Sequence, residues 1–289
     1  GSLFISPINL SLIFFLIRSL VFLFKKFSNK VNKKMGLRKK IKKFLYIRKF
    51  SKKNYLKNIN KKNILVTGAN SGIGLALTKK LLELDNKVLA TYRQSSENLK
   101  NINNKNLIFV KYDQREIDET KYLEEKIKIF DVELIFNCAG VFGTSFEDQQ
   151  IEKLDFKKFH EVLMVNSISI LKIMQIILKN KSSEKNLDFL VNISSDAGSI
   201  ELNNQGNAYI YRTSKTALNS ITKNMSIDLN NRFKTIVFAI DPGNVQSGMN
   251  PGGQIKADVC ANLIIDLLSS NSQSLNGKFI NLLGKEIAW

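Results

Sequence analysis

The sequence predicts an α/β domain built on a doubly wound parallel sheet and preceded by a basic N-terminal extension. Short apolar segments alternate along residues 63–289 with segments of helical periodicity, a pattern typical of parallel strands covered by helices on both faces. A glycine-rich turn joins the first apolar segment to the first helical one, as expected at the first crossover of such a sheet. No internal repeat or linker interrupts this region, so we expect a single domain over residues 63–289 and a separate extension over residues 1–62.

The predicted elements follow from local patterns taken in chain order. Asn63–Thr67 is a short apolar run that suits a buried strand, and Leu75–Leu84 repeats its apolar residues at helical spacing. The later strands are similar apolar runs, whereas the later helices are longer and mix apolar with charged residues. The further strands are predicted at Lys87–Tyr92, Leu107–Tyr112, Leu134–Asn137, Phe189–Ile193, Thr235–Ile240 and Phe279–Leu283, and the further helices at Glu116–Phe130, Phe156–Leu178, Tyr209–Asn230 and Ala257–Ser269.

The positive charge of the chain is concentrated in the extension. The chain carries a formal net charge of +19 at pH 7, and residues 1–62 contain 18 Lys and Arg but no Asp or Glu. The remaining residues hold 26 basic and 25 acidic side chains, so the domain is close to neutral. A nucleic-acid-binding function of the domain therefore loses its main support, and we expect no nucleic-acid partner.

The extension allows three interpretations. Residues 3–24 are almost continuously apolar and long enough to span a bilayer, and the Lys-rich residues 25–62 would then hold the domain on the cytoplasmic face of the membrane. Alternatively, the lysines reflect the general bias of the chain towards Lys, Asn, Ile and Phe. In the third interpretation Met35 is the initiator, and residues 1–34 do not belong to the native protein. The domain is expected to be cytoplasmic in each case, with or without a membrane tether.

The small number of cysteines and histidines limits the kinds of catalytic site that the chain can form. Cys138 and Cys260 form neither a disulfide framework nor a metal-binding spacing, and His160 is the only histidine of the chain. A Ser-His-Asp triad and a histidine-rich metal site are therefore disfavoured, and we expect no metal. The acid/base groups that remain for a reaction are Tyr, Lys and Ser.

The turn Thr67–Gly74 has the spacing Gly-x-x-x-Gly-x-Gly and lies between the first strand and the first helix. Glycines allow a tight turn and the close approach of a pyrophosphate to the positive end of the helix. The turn therefore predicts a nucleotide-binding, Rossmann-type domain.

Further motifs follow in order: Asn137-Cys138-Ala139-Gly140, Asn166, Ile193-Ser194-Ser195, Tyr211-x-x-x-Lys215 and Pro242-Gly243. Together with the glycine-rich turn they resemble the classical short-chain dehydrogenase/reductase family, over the whole chain after the extension. The resemblance implies hydride transfer between a nicotinamide cofactor and a carbonyl compound or secondary alcohol.

The resemblance assigns the acid/base role to Tyr211. Lys215 lies four residues later and would share its helix face, whereas Tyr209 would not. A free tyrosine has a pKa of about 10, and we expect Lys215 and a positive nicotinamide to lower it. Ser195 would orient the substrate oxygen, and Ser194 would support the strand end. Asn166 would either kink its helix and support a proton-relay water or be satisfied by the backbone alone.

The second predicted strand ends at Arg93 without a nearby acid, which favours the 2′-phosphate of NADP(H) over NAD(H), unless Arg93 is a solvated surface residue. Asp113 would contact the adenine or else only end its strand. The expected cofactor-binding residues are Gly68, Asn70, Ser71, Gly72, Ile73, Gly74, Arg93, Asp113, Asn137, Ala139, Gly140, Tyr211, Lys215, Pro242, Gly243, Val245 and Ser247.

Ser195 and Tyr211 are 16 residues apart, whereas the usual family interval is 13, so three residues are inserted in the pocket segment 196–208. This interval and the C-terminal Gly284-x-x-x-x-Trp289 resemble the C-factor-like carbonyl reductase branch. The branch implies a small-molecule substrate and a homodimer or homotetramer. Two other functions stay open: a dinucleotide-binding regulator with little turnover, and a membrane-tethered reductase of a lipid-like ketone.

Overall fold

The computed structural model describes residues 59–181, 186–270 and 272–289, which belong to one compact unit. The predictions for the membrane segment 3–24 and for nearly all of the Lys-rich segment 25–62 lie outside the described residues.

The domain is built on a seven-stranded parallel sheet. Its strands are β1 (Asn63–Thr67), β2 (Lys87–Tyr92), β3 (Leu107–Lys111), β4 (Leu134–Asn137), β5 (Phe189–Ile193), β6 (Ile236–Asp241) and β7 (Phe279–Asn281). Their order across the sheet is β3-β2-β1-β4-β5-β6-β7, and each neighbouring pair is parallel. The chain first builds outwards from β1 and then returns to its other side, which confirms the predicted doubly wound, Rossmann-type fold.

Helices cover the sheet. They are α1 (Gly72–Glu83), α2 (Glu97–Lys100), α3 (Lys121–Phe130), α4 (Phe156–Leu163), α5 (Ser169–Asn180), α6 (Tyr209–Phe233) and α7 (Ala257–Ser270). The predicted start of α3 at Glu116 is wrong by five residues. The N–H groups of Glu116 and Glu119 bond to the carbonyls of Asp113 and Glu116 instead, in turns whose single apolar residue, Ile117, offers no helical face to the core.

The long helix predicted at Phe156–Leu178 is interrupted. Residues Met164–Ile168 form a π-helical turn between α4 and α5, and Asn166 is the middle residue of this turn. The whole run Phe156–Asn180 is the one described helix that is long and apolar enough to cross a membrane. More than half of this run is buried, with Ile170 and Ile173 in the core, so its length and composition are weak evidence for a membrane segment.

The carboxyl ends of the parallel strands all lie at one edge of the sheet. The chain order reverses between β1 and β4, and the loops that leave these two strands diverge there. Ligands of open α/β sheets bind in the crevice that this divergence creates. The fold thus locates the site before any side chain is considered.

Candidate active site

A cleft of about 1070 Å³ opens at this edge of the sheet. Its lining comes from the ends of β1, β2, β3, β4, β5 and β6 and from the start of α6. All the predicted site residues line it except Asn137 and Asn166. The structure therefore brings together residues that are up to 179 positions apart in the sequence, from Gly68 to Ser247.

The glycine-rich turn is shaped so that backbone lies close to any ligand. Gly68 has a φ of +62°, and a Cβ there would lie 2.8 Å from the Cα of Ala139. A methyl group on Gly74 would overlap the carbonyl oxygen of Gly68. Helix α1 begins at Gly72 without a side-chain cap, so its first N–H groups are available to an anion. This cradle fits the pyrophosphate of a dinucleotide.

A buried hydrogen-bond network holds the ends of β1, β4 and β5 together. The Thr67 hydroxyl donates to Oδ1 of Asn137 at 3.0 Å and accepts the N–H groups of Cys138 and Ala139, each at 3.1 Å. Asn137 in turn donates to Asn192 at 2.9 Å. Asn137 is 2% exposed and its amide is used within the sheet, so a contact of Asn137 with cofactor stays a prediction for its backbone. Thr67, which the sequence analysis left unassigned, supports the cofactor turn.

The β2–β3 side of the cleft carries Arg93 and Asp113. Arg93 is half-buried at the end of β2. Asp113 pairs with Arg115, whose Nη2 lies 2.6 Å from its Oδ2. Burial raises the pKa of Asp113, but hydrogen bonds from Arg115 outweigh burial and hold that pKa below its ordinary value. Both predicted residues line this side of the cleft, and Asp113 faces it as a charged carboxylate.

The other end of the cleft holds Tyr211, Ser195 and Lys215. Nζ of Lys215 lies 5.7 Å from the centroid of the Tyr211 ring and donates to the carbonyl of Ile193 at 2.9 Å. The Ser195 hydroxyl lines the same end of the cleft as the Tyr211 phenol and acts to lower the pKa of that phenol. The ring of Phe142 packs against the Tyr211 ring at 4.9 Å between centroids. Three segments, the loop after β4, the end of β5 and the first turn of α6, therefore meet at the Tyr211 phenol.

The two neighbouring serines have different surroundings. Ser194 is 2% exposed, and its hydroxyl donates to Oδ1 of Asn219 at 2.6 Å. Ser195 is half-buried, and its hydroxyl donates to Asp196 and accepts the N–H of Ala197, each at 3.1 Å. Both serines line the cleft, and the hydroxyl of Ser194 is used in a bond to α6, so the substrate role of Ser195 stays a prediction.

The predicted lowering of the Tyr211 pKa is wrong for the protein by itself. Burial raises the pKa of Tyr211 to about 12, although the Ser195 hydroxyl acts to lower it, and the carboxylates of Asp241 and Asp196 raise it further. Burial also lowers the pKa of Lys215 to about 8. Dense packing, which the sequence argument left out, outweighs the attraction between the ammonium and a phenolate. Tyr211 is therefore a protonated phenol at neutral pH.

Asn166 lies at the π-helical interruption of its helix, and its amide bonds to backbone and to one side chain. It is 1% exposed; its Oδ1 accepts the N–H of Val141 at 2.8 Å, and its Nδ2 donates to the Val141 carbonyl and to the Ser214 hydroxyl, each at 2.9 Å. These bonds use both donors of its amide and tie the π-helical turn to the loop after β4. Asn166 thus supports the cleft from behind Gly140 and does not line it.

Three further residues at the catalytic end escaped the sequence analysis. Phe142 packs on Tyr211, and Gln149 accepts the Tyr211 N–H at 2.9 Å. Asp241, at the end of β6, lines the cleft directly before the Pro242–Gly243 motif, and burial raises its pKa. The position of Asp241 beside a motif was a usable signal, whereas Gln149 had none because its partner is 62 residues away.

The fold and the cleft define a dinucleotide-binding α/β protein. The chain belongs to the short-chain dehydrogenase family, whose model, described as short chain dehydrogenase, matches residues 62–255.

Relatives and solved structures refine this assignment. The C-signal protein of Myxococcus xanthus is 27% identical over 160 residues, which cover 55% of this chain and 93% of that protein. Carbonyl reductase Sniffer of Drosophila melanogaster is 26% identical with a TM-score of 0.72, over 80% of this chain and 100% of that one. An NADPH-bound carbonyl reductase from chicken fatty liver is 30% identical with a TM-score of 0.69, over the same shares. The chain is thus an NAD(P)-dependent oxidoreductase of the C-factor and carbonyl reductase type.

Proposed function

We propose that the protein is an NADP(H)-dependent reductase of carbonyl compounds with Tyr211 as its general acid. The observation that carries this proposal is the convergence of Tyr211, Ser195 and Lys215 at one end of a cleft whose other end is an anion cradle. A protein that only senses a dinucleotide needs no acid/base group, so this convergence argues against the regulatory alternative.

The proposed cofactor arrangement uses both ends of the cleft. The turn Gly68–Gly74 would hold the pyrophosphate, and Arg93 would bind the 2′-phosphate that distinguishes NADP(H) from NAD(H). Ala139, Gly140 and the Pro242–Ser247 segment would border the nicotinamide half, with Lys215 on its ribose. Bound cofactor would supply the hydride. The NADPH in the chicken carbonyl reductase supports the preference for NADP(H).

The protein's own groups would manage the proton. Since the pKa of Tyr211 is raised to about 12, its phenol is protonated at neutral pH and can donate to a carbonyl oxygen that is being reduced. Ser195, beside the same phenol, would hold that oxygen by a second hydrogen bond. The Lys215 ammonium would stabilise the phenolate left behind. Asn166 would act as a positioning residue through Val141 and Ser214.

The lining of the catalytic end favours an uncharged substrate with an apolar group. Val141, Phe142 and Met249 supply apolar surface there. Apart from Lys215, the charged side chains that line this end are the carboxylates of Asp196 and Asp241. An acidic substrate would meet like charges, and Lys215 already donates to the Ile193 carbonyl.

The test is NADPH oxidation by the purified protein across a panel of neutral, acidic and basic aldehydes and ketones. We expect turnover of neutral apolar carbonyls and its loss in Tyr211→Phe. NADPH binding without turnover of any carbonyl would favour the regulatory alternative, and full activity in Tyr211→Phe would refute the acid role.

A membrane-tethered form of the same function is the second candidate. Residues 3–24 are apolar and residues 25–62 are Lys-rich. Phe146, Ile200 and Met249, on the loops that leave the carboxyl ends of β4, β5 and β6, expose between 48% and 71% of their surface. Such a rim could receive a lipid-like ketone from a bilayer on the cytoplasmic side. Flotation of the full chain with vesicles containing anionic lipid tests this. Recovery of all protein in the lipid-free fraction at low salt would contradict it.

We also propose self-association. Phe156 on α4, Leu171 on α5 and Ile227 on α6 are exposed, between 41% and 76%, on the two long helical segments. A homodimer through these segments would cover them, and a homotetramer is the alternative. Sedimentation equilibrium with Ile227→Glu as the disrupting variant tests this, and a wild-type monomer at micromolar concentration would exclude both.

A further inference from the structure

The catalytic helix α6 begins without a local cap. Gly206, Asn207 and Ala208 all have left-handed backbone, with φ of 64°, 56° and 49°. Ala208 stands at the N-cap position and provides no side-chain hydrogen bond. The first N–H groups of a helix have no partner within it, so those of α6 require acceptors from elsewhere.

Gln149 supplies such an acceptor from a distant segment. It ends a single 3₁₀ turn, Glu147–Gln149, and is fully buried. Its Oε1 accepts the N–H of Tyr211 at 2.9 Å. Its Nε2 donates to the carbonyl of Phe142 at 3.0 Å and approaches that of Thr144 at 3.5 Å. A buried amide costs free energy unless it is bonded, and this one bonds on both of its sides.

The two sides of the Gln149 amide lead to the same phenol. One side holds the backbone of Tyr211, and the other holds the backbone of Phe142, whose ring packs on the Tyr211 ring. The amide thus sets the distance between the first turn of α6 and the loop after β4. A shift of this turn would move the phenol relative to Ser195, which is fixed at the end of β5.

We propose that Gln149 is a positioning residue for the reaction. Its amide joins the first turn of α6 to Phe142 in the loop after β4, and so holds the Tyr211 phenol beside Ser195. The inference rests on the proposed acid role of Tyr211. Gln149 itself does not line the cleft and contacts no substrate.

The electrostatic surroundings of Tyr211 make this role measurable. The charged groups near its phenol are Lys215 on α6, Asp196 after β5 and Asp241 at the end of β6, and Cys138 after β4 lies near Lys215. Beside Gln149, Glu147 is exposed to solvent, as is Asp148, which bonds to Ser145. An ionised carboxylate at position 149 would instead be a buried negative charge.

Gln149→Glu is the informative variant. A protonated glutamic acid copies the amide, because its carbonyl can accept the Tyr211 N–H and its hydroxyl can donate to Phe142. An ionised one would face the carbonyls of Phe142 and Thr144. Burial raises the pKa of a carboxyl, so the protonated form gains population as pH falls below about 7. We expect kcat about 10- to 100-fold below wild type at pH 8 and within a few-fold at pH 5, with the KM for NADPH unchanged at both.

Asn86→Asp is the matched control. Asn86 is also fully buried, accepts the N–H of Lys62 at 3.0 Å and donates to the Leu81 carbonyl at 2.9 Å, away from the cleft. Its variant should lose stability at pH 8, as Gln149→Glu does, but keep the wild-type kcat of its folded fraction. Gln149→Met, which removes both bonds without adding charge, should lower kcat equally at pH 5 and pH 8.

The outcomes separate the two proposals. A constant ratio of Gln149→Glu to wild-type kcat across pH, or a kcat loss in Asn86→Asp of equal size, would overturn the role of Gln149. Full activity in Tyr211→Phe would instead overturn the proposed function, whatever the Gln149 variants do.

Discussion

The two ends of the cleft are built by different means. At the nucleotide end, the backbone forms the site: Gly68 and Gly74 leave no room for a Cβ, and the start of α1 presents its N–H groups. At the catalytic end, side chains from several loops meet at Tyr211, and each depends on another for its position. A site made of backbone is formed by one continuous segment, whereas a site made of side chains draws its residues from segments that are far apart in the chain. Substitutions at the nucleotide end should therefore weaken cofactor binding by steric overlap. Substitutions at the catalytic end should lower turnover by displacing Tyr211 or by removing a charge beside it.

Lys215→Met should separate stability from activity most strongly. We expect turnover to fall at least about 100-fold, because the phenolate of Tyr211 loses its nearby cation. Burial lowers the pKa of Lys215 from 10.5 to about 8, so removing the buried charge should stabilise the fold by about 3 kcal/mol at pH 7. The lost hydrogen bond to the Ile193 carbonyl costs about 1 kcal/mol, so the free energy of unfolding should rise by about 2 kcal/mol. Thermal unfolding and NADPH oxidation measure the two effects.

The stability gain has a defined pH dependence. Between pH 8 and pH 10.5 the unfolded chain binds more protons at Lys215 than the folded protein, so wild-type stability rises with pH. The advantage of Lys215→Met should be full below pH 8 and absent above pH 10.5. An advantage that is independent of pH would show that the buried charge is not its source.

Gly74→Ala tests the steric construction of the nucleotide end. The added methyl group would overlap the Gly68 carbonyl, and we expect a cost of about 2 kcal/mol, seen as a roughly 30-fold weaker NADPH affinity. Gly252→Ala is the control, because a Cβ there meets nothing within 4 Å. Fluorescence titration with NADPH measures both. Equal affinities in the two variants would mean that the turn does not bind the pyrophosphate.

Arg93→Ala tests the cofactor preference at the same end. Removing one half-exposed guanidinium should weaken NADPH binding about tenfold and leave NADH binding unchanged. Lys87→Ala removes an equal charge from the opposite end of β2. If both variants weakened NADPH binding equally, the loss would come from the reduced positive charge in general and not from recognition of the 2′-phosphate by Arg93.

The smallest expected effect compares the two ends of α6. Ala208 and Lys234 flank this helix with left-handed backbone, at φ of 49° and 61°. Replacing either by Gly should raise the free energy of unfolding by about 0.5–1 kcal/mol, because Gly adopts this conformation without strain. Only Ala208→Gly should lower kcat, by a few-fold, since it loosens the turn that precedes Tyr211. Equal kcat in both variants would show that the turn before Tyr211 does not control turnover.

The sequence sufficed for the fold and for the residues that belong to local motifs. Strand β1 and the Ser195, Tyr211 and Lys215 set were predicted because each lies in a short pattern with a fixed spacing. The pKa of Tyr211 was predicted in the wrong direction, because burial depends on the packing of distant segments. The bonds of the Asn137 side chain within the sheet were not predicted for the same reason: its partners Thr67 and Asn192 are 70 and 55 residues away. Contacts of this length leave no local signature.

The central claim is that binding and proton transfer occupy separate ends of one cleft, with Tyr211 serving only the second. The most direct measurement is the NADPH dissociation constant of Tyr211→Phe, taken beside its rate of carbonyl reduction at saturating NADPH. We predict an affinity within about twofold of wild type and a rate lower by about 100-fold or more. An unchanged rate, or a loss of affinity that accounts for the loss of rate, would contradict the claim.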